Sequence, residues 1–190
     1  MPYDPNNDYS VPYFWGTVGI VYDKTKVDIK DLEKEGFNIF LDTKYKGDIY
    51  LYDSERDSFM MALKALGAYE WLVKCVETME PEIVTDEIID NMAQGRKALG
   101  LIYSGDAAYV MSENENMGFY MPETGTNLWS DAMVIPKNAK NPELAHEFIN
   151  FVSSYEGGNK NDEVFKYDGE IKKVISSLFS KVKVIASNAE

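Results

Sequence analysis

The sequence predicts an α/β fold, a sheet with helices on both faces, and three observations carry that prediction. Short aromatic and β-branched runs alternate with longer amphipathic runs, and cap or turn residues stand at most of the changes between them. With 190 residues, 45% of them hydrophobic and 13% aromatic, the chain can also bury a core of its own.

Along the chain, "VPYFWGTVGIVY" from Val11 to Tyr22 predicts a buried strand, or a pair with a bend near Gly16. A helical turn around Ile29 to Lys34 follows. "GDIYLYD" gives a strand ending at Asp53, and Ser54 is placed to cap a helix whose Phe59, Ala62, Leu63 and Leu66 share one face. Gly67 separates it from a helix over Ala68 to Met79. Thr85 reads as the N-cap of a short helix ending near Gly95, and Ala98 to Tyr103 as the next strand. A turn at Ser104 and Gly105 leads into a helix through Met111. "MGFYMP" and "SDAMVIP" supply two further strands, the second ending at Pro136. Asn141, Pro142 and Glu143 then start a helix that runs to about Tyr155. "EGGNKNDE" has the composition of a linker, and "YDGEIKKVISSLFSKVKV" that of an amphipathic terminal helix.

Composition narrows the chemistry. The net charge of −13 argues against nucleic acid, whose binders need a concentrated basic surface, and it fits cationic ligands better, although acidic surfaces more often serve solubility alone. Cys75, the single cysteine, lies in a helical run and reads as a buried structural thiol. No apolar run reaches the roughly 20 residues needed to cross a bilayer. Met1 is followed by Pro2, Tyr3 and Asp4 where a signal peptide would need basic then apolar residues, so a soluble chain without an address is expected. His146, the single histidine, has no second histidine for a zinc pair and reads as a surface residue of its helix. The glycines fit neither a phosphate loop nor a dinucleotide fingerprint, and Asp53, Glu55 and Asp57 lack calcium-loop spacing. Catalysis, metal and cofactor are therefore not expected.

In α/β sheets, sites collect at the carboxyl ends of strands, and here those ends pair aromatics with carboxylates. Tyr52 stands beside Asp53, Tyr103 near Asp106, and Trp129 two residues before Asp131. An aromatic face and a carboxylate together suit an ammonium group. On an extended strand Trp129 and Asp131 would point to the same side. A core tryptophan beside a turn aspartate is the equally weighted alternative at this level.

The segments "YDPNNDYSVPYFWGTVGIVYDKTKV", "YKGDIYLYDSERDSFMMALKALG" and "GTNLWSDAMVIPKNAKNPELAHEFINF" resemble the spermidine/putrescine-binding proteins of ATP-driven uptake systems, part of the type II periplasmic binding protein superfamily. The resemblance covers most of Tyr3 to Phe151 and implies the second lobe alone, with a mixed central sheet. It implies a polyamine ligand, a membrane permease as partner of the parent protein, and an extracytoplasmic location. It also implies a half-site of Asp57, Tyr103, Trp129 and Asp131, with Ser54 as helper. Asp57 matches an acidic position that holds a ligand amine, and Ser54 stands where some relatives have a second aspartate. Tyr103 stands where several have tryptophan, while Trp129 and Asp131 match without departure.

The same resemblance divides the chain into residues 1–156 as the second lobe, 157–161 as a Gly-rich linker or splice, and 162–190 as a C-terminal helix packing on the lobe. A first lobe that would supply the opposite wall is not in this sequence, so the expectation is a trimmed lobe of weak residual affinity. The alternative is a folded scaffold that self-associates, for instance as a homodimer through the exposed cleft face.

Overall fold

A computed structural model of the chain describes residues 3–154. The expected linker at 157–161 and terminal helix at 162–190 lie outside the described residues. The chain divides into two compact units, one formed by Phe14–Ser130 and the other by Met1–Tyr13 with Asp131–Glu190.

Among the described residues, six strands and six α-helices follow one another as β1 (Val11–Asp23), α1 (Ile29–Glu35), β2 (Ile49–Tyr52), α2 (Glu55–Lys64), α3 (Tyr69–Met79), β3 (Glu82–Val84), α4 (Glu87–Ala93), β4 (Leu99–Tyr103), α5 (Ser104–Glu113), β5 (Met117–Tyr120), β6 (Leu128–Met133) and α6 (Pro142–Val152). The sheet order is β3-β2-β4-β1-β5, with β6 pairing β1 off that path. β2 runs parallel to β3 and β4, whereas β1 runs antiparallel to β4 and β5. The sheet is therefore mixed, as the resemblance implies.

Alternation along the strands builds two separate cores within Phe14–Ser130. Val18, Ile20 and Tyr22 of β1, Ile49 and Leu51 of β2, and Leu99 and Leu101 of β4 pack with Met60, Met61, Trp71 and Cys75 from α2 and α3. The intervening residues Val21, Tyr50 and Ile102 pack instead with Ile88, Met92, Ala107 and Val110 from α4 and α5. Helices thus cover both faces, which is why β2 and β4 read as continuous apolar runs. Cys75 is buried, its thiol donates to the Phe40 carbonyl at 3.5 Å, and burial pushes its pKa up to about 11. It is the inert thiol the sequence suggested.

Several local readings change. Of the two readings offered for β1, the single continuous strand holds and the bent pair does not. β3 was missed because three residues leave too short a pattern, and only its parallel pairing with β2 defines it. Thr85 is not the N-cap of α4: Asp86 takes that place, and the Thr85 hydroxyl and amide both donate to Glu87 Oε2. Ser104 begins α5 directly, without the expected turn. β6 starts at Leu128 and ends at Met133, earlier than the strand ending at Pro136.

Helix α2 is turned away from its expected face. Ala62 is buried, but Phe59, Leu63 and Leu66 are exposed, Leu66 at 91%. The inward side carries Met60, Met61 and the carboxylate of Asp57 instead. A carboxylate can be buried once enough donors surround it, and Asp57 has them.

In the other unit, Asp4 ties down the entry to β1. Its carboxylate accepts from the amides of Asp8 and Tyr9 and the hydroxyl of Ser10, at 2.9, 3.0 and 2.7 Å. Asn141 caps α6 by accepting from the Leu144 amide at 3.3 Å, with Pro142 opening the helix as read from sequence. His146 is exposed on that helix.

Candidate functional site

β2 and β4 lie side by side and in parallel, so the turns that follow them open at one end of the sheet. Tyr52 ends β2 and Ser54 caps α2. Tyr103 ends β4, and α5 starts at the next residue. Geometry at that end converges on Asp57, which is only 5% exposed. Its Oδ2 accepts from Ser54 Oγ at 2.8 Å and from the Tyr103 phenol at 2.7 Å. Its Oδ1 accepts from Asn127 Nδ2 at 2.7 Å. Together these three hydrogen bonds fix the orientation of the carboxylate.

A row of rings runs beside it. Tyr103 stands edge-on to Tyr52 at 5.0 Å and to Trp129 at 5.9 Å, both T-shaped. Trp129 lies against β1 at Gly16, where a Cβ would come within 2.5 Å of the indole, so only glycine lets the ring settle there. The indole Nε1 is buried and meets no acceptor among the described residues. Close packing, not a hydrogen bond, sets the ring's position.

At the far end of the row, the Tyr52 phenol donates to Asp86 Oδ1 at 2.8 Å. Asp106, in the first turn of α5, has its pKa raised, first by burial and then by the charge of Asp86. Burial and the hydrogen bond to Asp57 push the Tyr103 phenol up to about 12. Burial, followed by the bond to Asp86, raises Tyr52 as well. Three carboxylates, Asp57, Asp86 and Asp106, thus border two phenols that stay protonated at neutral pH. Carboxylates beside aromatic surface are an arrangement that suits a positively charged group. Among the described residues no group of three or more His, Cys, Asp or Glu is placed to hold a metal ion.

Of the residues named from sequence, Asp57, Ser54, Tyr103 and Trp129 belong to Phe14–Ser130, and the contacts above bring them together. Asp131 belongs to the other unit, where it is an exposed residue of β6. Asp53, an early candidate, is exposed, and its amide donates to the Val84 carbonyl at 2.8 Å. Sequence reasoning missed Asn127 and Asp86. Asn127 sits two residues before Trp129, a spacing that could have drawn attention to it. Asp86 reaches the row through a 2.8 Å bond from a residue 34 positions away, which no local pattern reports.

The same fold recurs in known proteins. The spermidine/putrescine-binding periplasmic protein of Escherichia coli (strain K12) is 33% identical over 164 residues, covering 80% of this chain and 46% of that protein. A putrescine/cadaverine-binding protein of Pseudomonas aeruginosa is 28% identical over 172 residues, covering 79% of this chain and 49% of its own length. The crystal structure of a spermidine/putrescine ABC transporter substrate-binding protein from Streptococcus pneumoniae superposes with a TM-score of 0.67 at 36% identity, covering 87% of this chain and 54% of that one. The chain spans about half the length of the relatives it matches. Residues 2–165 match the model of the family described as bacterial extracellular solute-binding protein, and with most of its length so matched the chain belongs to that family.

Proposed function

We propose that this chain is a polyamine-binding lobe of an ATP-driven uptake system, holding an alkylammonium group at Asp57 beside Tyr103 and Trp129. The observation that carries the reading is the buried, hydrogen-bonded carboxylate of Asp57 at the edge of an aromatic row. The negative charge attracts the ammonium, and the rings pack against its methylene chain. The names of the relatives support the ligand class, spermidine, putrescine and cadaverine. Ser54 is proposed as the residue that orients Asp57.

In the parent protein the partners would be a first lobe that closes the cleft and a membrane permease that receives the ligand, outside the cytoplasm. No described helix is long and apolar enough to cross a membrane. If a two-lobed site binds at about −8 kcal/mol, a lobe keeping half of that binds at about millimolar. Isothermal titration calorimetry and NMR with spermidine and putrescine test the assignment. Asp57→Asn abolishes saturable binding, whereas an affinity untouched by that change would refute the assigned site.

A further inference from the structure

The outward side of α2 carries an apolar stripe left open to solvent. Phe59 is 45% exposed, Leu63 60% and Leu66 91%, and Tyr69, which opens α3 just after the turn, is 65% exposed. The helix cannot roll to bury them, because one loop grips its inner side at Asp57, Met60 and Lys64, positions i, i+3 and i+7. Asn127 Nδ2 donates to Asp57 Oδ1 at 2.7 Å, Thr126 Oγ1 to Met60 Sδ at 3.8 Å, and Lys64 Nζ to the Thr124 carbonyl at 2.8 Å. Leu66 is the least expected member of the stripe. It closes α2 in a left-handed cap, the Gly67 amide donating to the Ala62 carbonyl at 2.9 Å and its own amide to the Leu63 carbonyl at 3.1 Å. At φ +59° that position favours glycine, so a leucine there is strained and, being exposed, gains nothing from the core.

We infer that this stripe is a self-association surface, on which two copies of the chain pair antiparallel about Leu63 so that Arg56 of each faces Glu70 of the other. Charge complementarity selects a second copy as the occupant. Arg56 shares a face of α2 with Phe59 and Leu63, at i, i+3 and i+7, and Glu70 follows Tyr69 at the other end of the stripe. Both are exposed and, among the described residues, neither belongs to an ion pair. Leu63 stands midway between them in sequence, so a two-fold axis there sets the basic end against the acidic end twice. A stripe with the same charge at both ends would repel its own copy. The four apolar side chains offer roughly 500 Å² per copy, which places the dimer near the lower limit of about 1,000 Å² for a specific interface. Such a dimer is weak, with a Kd of roughly 100 μM, and it forms without any ligand.

Sedimentation velocity of the full chain between about 10 μM and about 1 mM is the test. The wild type is expected to pass from monomer to dimer across that range, and Leu63→Glu to stay monomeric throughout. Arg56→Glu and Glu70→Arg each weaken association by roughly tenfold or more, and the double variant restores it. Leu66→Gly weakens association too, yet does not lower Tm at micromolar concentration, because relief of the left-handed conformation offsets glycine's greater freedom in the unfolded chain. A fold defect would lower Tm and association together, and would not be repaired by a second charge reversal. A wild type still monomeric at the highest concentration overturns the inference and leaves the stripe to a different protein. Dimers that survive Leu63→Glu, or charge reversals that the double variant does not repair, overturn it as well.

Discussion

The two ends of the aromatic row hold carboxylates in opposite circumstances. Asp57 is buried, receives three hydrogen bonds, and faces the phenol of Tyr103. Asp86 is exposed, accepts from Tyr52, and shares its surroundings with Asp106, whose pKa is raised by burial and by Asp86's charge. One end is a preorganised anion whose orientation is fixed before any ligand arrives. The other is a pair of like charges that no described ion pair neutralises. Burial alone therefore does not decide what a carboxylate can do. The number of donors supplied with it does.

The sharpest way to break this contrast is to remove the acceptor at the buried end. Asp57→Leu leaves the Ser54, Tyr103 and Asn127 donors without their partner, and should cost about 2–4 kcal/mol in urea unfolding as well as all amine binding. Asp86→Leu, by contrast, should change stability by less than about 1 kcal/mol. Next in size, Trp129→Ala should weaken amine binding by about tenfold while leaving Asp57's hydrogen bonds in place. Tyr103→Phe removes one bond to Asp57 and should cost about 1 kcal/mol, and alkaline absorbance titration should lose a phenol ionising near pH 12.

The smallest effect belongs to the repulsive end. Asp106 binds its proton more tightly in the folded state than in the unfolded chain, so its contribution is favourable below the unfolded carboxylate value and is lost as pH rises through its raised native value. Asp106→Asn should therefore raise Tm at neutral pH by about 1–2 °C, and the gain should disappear as pH falls below about 4.

Much of this arrangement was legible in the sequence, and what escaped has a common cause. The strand, cap and helix at Ile49, Ser54 and Glu55 were readable because each rests on a pattern a few residues long. The same holds for the Asn141 and Pro142 start of α6. The facing of α2 was not readable, because Asp57 is drawn inward by donors 46 and 70 positions away. Periodicity counts apolar residues and cannot register a carboxylate that partners make buriable. Trp129 was singled out from its place near Asp131, but its seat depends on Gly16, a close approach visible only once β1 is placed. Family resemblance identified Asp57, Ser54 and Tyr103, and could not reveal Asn127, whose role arises from one hydrogen bond.

In the proposed site Asp57, Tyr103 and Trp129 together hold an alkylammonium. An NMR titration of the chain with spermidine tests it most directly, following the Trp129 indole and the backbone amides of Asp57 and Tyr103. Saturable shifts confined to those positions and absent in Asp57→Asn are expected. A well-dispersed spectrum that does not respond to the amine, or shifts that persist in Asp57→Asn, would contradict it.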